Sequence, residues 1–133
     1  NYDLMKELNG NKQMTDVWNL PAIAKWEKSC GKHPTQKPLS LLSRIILAST
    51  NENSWILDPF SGSGTTGIAC SLLKRKYLGI EKETEFLEIS KNRRIELDNI
   101  NTILKYKSKI KDLSFIENNI LLREDNIDFN IPF

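Results

Sequence analysis

Histidine and cysteine are nearly absent from this chain, which in 133 residues has one of the first, His33, and two of the second, Cys30 and Cys70. The cysteines stand far apart with no CxxC spacing. That argues for a reducing compartment and against a structural zinc site, so no metal is expected. No apolar run approaches the length of a membrane span, and the start is not signal-like, so no membrane association is expected. Net charge is also scarce: 19 basic against 17 acidic residues leave +2, which says little about partners. The length suffices for one domain but is small for a complete enzyme with its own recognition elements. Because the chain opens at Asn1 without an initiator methionine, we expect it to be a portion of something longer.

The basic residues are clustered rather than scattered. Lys74, Arg75 and Lys76 form one group, Lys91, Arg93 and Arg94 a second, and Lys105, Lys107, Lys109 and Lys111 a third. Such clusters fit a nearby polyanion and fit the solvated faces of helices equally well.

Residues 1–36 show little periodicity and read as loop. From Pro38, the pattern Leu39, Leu42, Ile45, Ile46 predicts an amphipathic helix with proline in its first turn, broken by Asn51-Glu52-Asn53. Trp55 to Leu57 reads as a short buried strand. A helix opens at about Gly64 with Ile68, Ala69, Leu72 and Leu73 on one side, and Tyr77 to Glu81 reads as a second strand. Strand, helix and strand make a βαβ unit. A long helix is expected from about Thr84 to Leu104. Beyond it, the Asn-, Asp- and Lys-rich tail would hold a short helix near Asp112–Asn118 and a strand near Ile120–Arg123.

The junction between the first strand and its helix carries the chemistry. Gly62-x-Gly64-x-x-Gly67 matches a nucleotide-binding fingerprint, and Glu81 lies nineteen residues past Gly62, where a ribose-binding acid belongs. The glycine pattern alone is weak, since a plain tight turn also uses glycine. A strand before, a helix after and an acid at the end of the second strand strengthen it. A nucleoside triphosphate is excluded because Gly64-Thr65-Thr66 offers no lysine for a phosphate chain. Asp58 then chooses among adenosine compounds: a carboxylate beside the turn repels a pyrophosphate and attracts an ammonium group. S-adenosylmethionine carries that ammonium, and Glu81 can accept from both of its ribose hydroxyls. Pro59 and Phe60 stiffen the exit from the strand and offer apolar surface, and Ser61, Ser63, Thr65 and Thr66 complete the loop. Asp58 could instead serve as a cap on the turn.

His33-Pro34-Thr35-Gln36-Lys37-Pro38 supplies a complementary half, where backbone amides at a helix start, the Thr35 hydroxyl and Lys37 can converge on an anion such as the ligand carboxylate. His33 is expected to orient by hydrogen bonding rather than to catalyse. By itself this stretch is also readable as a stiff turn before a helix.

These three elements, His33 to Pro38, Asp58 to Thr66 and Tyr77 to Glu81, resemble in kind and order the cofactor-binding half of the beta-class amino-methylating DNA methyltransferases of restriction–modification systems. The resemblance runs from about Asp16 to Arg94, with Asp16-Val17-Trp18 and Lys28 to Lys32 leading into the first element. It implies an α/β, Rossmann-like S-adenosylmethionine-dependent methyltransferase fold. His33, Thr35, Gln36, Lys37, Asp58, Pro59, Phe60, Ser61, Gly62, Ser63, Gly64, Thr65, Thr66 and Glu81 would bind the cofactor. It further implies methyl transfer to adenine N6 in a specific double-stranded DNA site, in the bacterial cytoplasm. The corresponding division is 1–32 as the end of a target-recognition region, 33–104 as the cofactor portion and 105–133 as a C-terminal extension.

One part of that family's pattern is missing. No D/N/S-P-P-Y/F/W tetrapeptide occurs, since Asp58-Pro59-Phe60 lacks the second proline and belongs to the cofactor loop. In the family this tetrapeptide receives the target amino hydrogens and stacks on the extruded base, so no catalytic residue is assigned here and the fold is expected to be incomplete. A complementary catalytic segment, from the same polypeptide or another chain, is therefore expected, and a homodimer stays open. Three alternatives remain: cytosine-N4 methylation, an inactive cofactor- or DNA-binding remnant, and an NAD-dependent oxidoreductase, which Asp58 and the His33–Pro38 element oppose.

Overall fold

A computed structural model describes residues 1–124. The chain forms α1 (Tyr2–Leu8), a 3-10 turn (Lys25–Lys28), α2 (Leu39–Ser49), β1 (Trp55–Asp58), α3 (Thr65–Leu72), β2 (Lys76–Gly79), α4 (Thr84–Glu96), α5 (Ile100–Lys109) and α6 (Lys111–Glu124). β1 and β2 run parallel, with Ile56 opposite Tyr77 and Asp58 opposite Gly79, and α3 is the crossover between them. Among the described residues these two strands are the whole sheet. The architecture is thus part of an α/β Rossmann-like fold, as expected.

One stripe of each helix makes the core. Leu39, Ile46 and Leu47 of α2 meet Ile68, Ala69, Cys70 and Leu72 of α3, and Ile56 and Tyr77 pack against this cluster from the sheet. The other sheet face is bare: Trp55 and Leu57 of β1 are 70% and 61% exposed, and Leu78 and Ile80 are more than half exposed. Parallel sheets ordinarily have both faces covered. The alternation that looks amphipathic therefore comes from one-sided packing, because the residues on the open side are as apolar as those inside.

The strand expected to be buried at Trp55 to Leu57 is thus open on one face, and the structure departs from the sequence expectations at three further places. Residues 1–36 are not all loop: Met5 and Leu8 of α1 are buried in the shared core, and the Asn1 side chain donates to the carbonyls of Leu47 and Thr50 at the end of α2. The long helix breaks in two because Asn99 caps α5, its side chain accepting from the Asn101 amide at 2.9 Å, a residue type strongly favoured there. The strand expected near Ile120–Arg123 is part of helix α6. Leu113, Ile116 and Ile120 recur at helical spacing, with Leu113 buried, and this stripe outweighs the poor helix propensity of the intervening Asn residues. Asp112 in its first turn grips Arg44 of α2 through two bonds of 2.8 Å, tying the C-terminal helix to the core. Residues 125–133 lie outside the described part.

Candidate cofactor-binding site

Both acids singled out from the sequence stand at the C-terminal ends of the parallel strands, where ligands of open α/β sheets bind. The ladder continues past β1 and β2: the Ile80 amide donates to the Asp58 carbonyl, and the Ser61 amide donates back to Ile80 at 2.9 Å. The loop that follows turns through two left-handed glycines, Gly62 (φ 52°) and Gly64 (φ 77°), and α3 begins at Thr65. At Gly64 a side chain is doubly forbidden, since a Cβ would stand 2.1 Å from the Ser90 hydroxyl of α4.

Each acid also holds the loop. Asp58 accepts from the Thr66 hydroxyl at 2.6 Å and from the Phe60 amide at 3.1 Å, so it does cap the turn. Glu81 accepts from the Gly62 amide at 2.7 Å and from the Glu83 amide at 2.8 Å. The Glu83 amide first, then that of Gly62, keep the Glu81 carboxyl below its usual range. A carboxylate pair of oxygens offers about four acceptor positions, so both side chains retain capacity for a ligand donor.

The His33–Pro38 turn lies against this loop. The His33 ring packs on Phe86 of α4 with centroids 4.1 Å apart, and its Nδ1 accepts from the Thr35 amide at 3.2 Å. A Cβ at Gly62 would come within 3.0 Å of His33 Nε2, so glycine is what allows the two segments to approach. Between them is a cleft of about 140 Å³ lined by His33, Thr35, Gln36, Lys37, Leu42 and, from the loop, Phe60 to Ser63 with Thr65 and Thr66. Phe60 is almost fully exposed at its rim. Gly64 is not in this lining. It serves the site through backbone shape, and Asp58, Pro59 and Glu81 flank the cleft rather than face it.

Two buried charged residues were not picked out from the sequence. Glu27, in the 3-10 turn, accepts from the Leu39 amide at 2.8 Å and from the Ala24 amide at 3.1 Å. The first amide of α2 is therefore already occupied and is not free for an anion, contrary to the expectation that it would help receive one. The Glu27 carbonyl in turn accepts from the Gln36 side chain at 2.8 Å, which fastens the His33–Pro38 turn. No periodic signal marks Glu27. The second is Arg93, read with its neighbours as facing either a polyanion or solvent but buried against the glycine loop. Its signal was present: Phe86, Ile89, Arg93 and Leu97 share a helical face. Of the other basic residues in these clusters, Lys91 pairs with Glu88, Arg94 with Asp98 and Lys107 with Glu117, while Lys109 lies over the Trp26 ring.

The same segments that build the cleft are those matched by comparison with known proteins. A family model described as DNA methylase (N6_N4_Mtase) matches residues 2–92. The chain belongs to this DNA methylase family. Over 113 residues it is 65% identical to the type II methyltransferase M2.MboI of Moraxella bovis, a match that covers 84% of this chain and 40% of that protein. It is 59% identical over 99 residues to the type II methyltransferase M2.DpnII of Streptococcus pneumoniae, covering 74% of this chain and 37% of the other. This DNA methylase chain thus spans well under half the length of these relatives. A crystal structure of the M1.HpyAVI–SAM complex aligns at 50% identity with a TM-score of 0.45, over 48% of this chain and 33% of that one. Among the described residues no cluster of His, Cys, Asp and Glu could hold a metal, and no helix is long and apolar enough to cross a membrane.

Proposed function

We propose that this chain is the S-adenosylmethionine-binding portion of a DNA methyltransferase that modifies adenine N6 in a specific double-stranded site. The observation that carries the reading is the meeting of the His33–Pro38 turn and the glycine loop in one cleft, with an acid at the end of each strand beside it. The site fits the cofactor by its chemistry. Asp58 and Glu81 supply acceptors for an ammonium and a ribose diol, and Lys37 and Thr35 supply donors for a carboxylate. Gly62 leaves room where a Cβ would close the cleft. The cofactor, when bound, supplies a methyl group activated on a sulfonium. The cleft of about 140 Å³ falls short of the roughly 300 Å³ at which ligand pockets begin, so it suits one end of such a molecule, with the rest lying along the open strand ends.

The short reach of the cleft and the bare sheet face support a further part of the reading. The sequence has no D/N/S-P-P-Y/F/W tetrapeptide, and the exposed apolar face of β1 and β2 needs a cover. The occupant is an α/β segment bearing that tetrapeptide, which adds a strand beside β1 and helices over Trp55, Leu57, Leu78 and Ile80. A monomeric 133-residue chain that folded cooperatively and methylated DNA unaided would end this idea.

Isothermal titration tests the cofactor. S-adenosylmethionine should bind, and Asp58→Ala or Glu81→Ala should each weaken binding about tenfold or more, in line with loss of a hydrogen bond to a charged group. Binding of NAD with no response to S-adenosylmethionine would overturn the reading. Nucleoside digestion after methyl transfer by the intact protein distinguishes adenine N6 from cytosine N4.

A further inference from the structure

We infer that Arg93 is a positioning residue for the cofactor loop, setting its shape from behind without touching the ligand. Arg93 is 3% exposed, and among the described residues no carboxylate pairs with it. A buried cation in that state is costly unless its hydrogen bonds are well used. Arg93 Nη1 donates to the Ser63 carbonyl at 2.8 Å, the Thr65 hydroxyl at 2.9 Å and the Ser63 hydroxyl at 3.1 Å. One nitrogen with two hydrogens thus serves three acceptors, so one hydrogen is shared.

Those acceptors straddle Gly64, the left-handed residue at which the loop turns into α3. The guanidinium therefore bridges the two sides of the turn and holds it at the φ that presents the loop to the cleft. Ser63 and Thr65 line the cleft while Arg93 does not, so its effect on a ligand passes through them. The surrounding helix supports the assignment. Arg93 sits on the buried face of α4 between Ile89 and Leu97, at a position where the pattern calls for an apolar residue, and Ser90 one turn away presses on Gly64. An apolar side chain there could fill the space but could not bridge the turn. Lysine would keep the charge and the donors, but its ammonium nitrogen stands one bond closer to the backbone than the Nη1 that makes all three contacts, so it falls short of the turn.

This inference rests on reading the loop as the S-adenosylmethionine site, and the experiment separates the two. Arg93→Lys and Thr65→Val are made in the intact protein. Amide hydrogen exchange is followed without ligand, and S-adenosylmethionine affinity is measured by titration. Both variants should speed exchange of the amides of residues 61–66 about tenfold while the α2 and α3 core amides keep their protection. Both should also weaken S-adenosylmethionine binding about tenfold, the loss expected for a charged hydrogen bond. A double variant should weaken binding by less than the product of the two single effects, because both act on one contact. Faster loop exchange in a protein whose wild type does not bind S-adenosylmethionine would uphold the positioning role and remove the cofactor reading. Unchanged loop exchange, or wild-type affinity in both folded variants, would overturn the role of Arg93, as would a loss of protection spread evenly through the core. If Arg93→Lys does not fold, Thr65→Val decides by the same two measurements.

Discussion

The two faces of the sheet share strands, register and chain neighbours, yet one is closed and the other open. On the closed side, Ile56 and Tyr77 meet α2 and α3 across a core in which Ile68 is 1% exposed. On the open side, Trp55, Leu57, Leu78 and Ile80 face outward. The residues are equally apolar, so composition cannot be what separates the faces. Among the described residues, helices cover one side only. The difference teaches that the apolar content of β1 and β2 belongs to a larger fold than these residues complete.

The sharpest way to break this comparison is a matched pair of truncations. Ile68→Ala should lower unfolding free energy by about 2–5 kcal/mol, as buried isoleucine-to-alanine changes do. Leu57→Ser should change it by no more than about 0.5 kcal/mol in this chain, as exposed substitutions do. Urea melts of both variants check the contrast, and equal losses would show that the open face is already covered.

A second distinction appears at high pH. On the closed side, burial pushes the Cys70 thiol from 9.0 to about 11 and the Tyr77 phenol from 10.0 to about 12. Tyr106 of α5 is also pushed, chiefly by burial, to about 12. Each group holds its proton more tightly folded than unfolded. Their contribution is therefore whole below pH 9.0, declines as the unfolded groups ionise, and is lost once the pH passes about 12. Chemical melts across that range should show a plateau and then a fall, and Leu57→Ser should leave the profile unchanged.

The smallest expected effect comes from the Tyr77 hydroxyl, which is buried without a hydrogen-bond partner among the described residues. Tyr77→Phe removes that group and should be neutral or stabilising by about 0.5–1 kcal/mol, while reducing the alkaline fall. A loss of stability instead would mean that the hydroxyl has a partner in the intact protein.

How far the site could be read beforehand follows from which signals are local. The βαβ unit was legible because glycine spacing, a short apolar strand and the acid Glu81 lie within one stretch of chain. Asp58's hold on the turn was legible, as a cap was already one reading of it. Glu27 and Arg93 were not, because each gains its role from a segment distant in sequence, the His33–Pro38 turn in one case and the glycine loop in the other. Arg93 also carries a charge that marks surface residues by default, and only its place between Ile89 and Leu97 argues otherwise. The helix near Asp112–Asn118 was legible, but its continuation through residues 120–123 was misread as strand, because Asn-rich composition hides a helical stripe that packs on α2 and α5.

Trp55 is 70% exposed on the open face, with the Lys76 ammonium 5.7 Å from its ring, whereas Trp18 and Trp26 are both half-buried. Its indole is thus an optical gauge already in place. Water around it should hold its fluorescence at long wavelength and leave it open to quenching by iodide. Titrating in the tetrapeptide-bearing segment proposed above should shift the emission toward the blue and protect it, reporting assembly without any added dye.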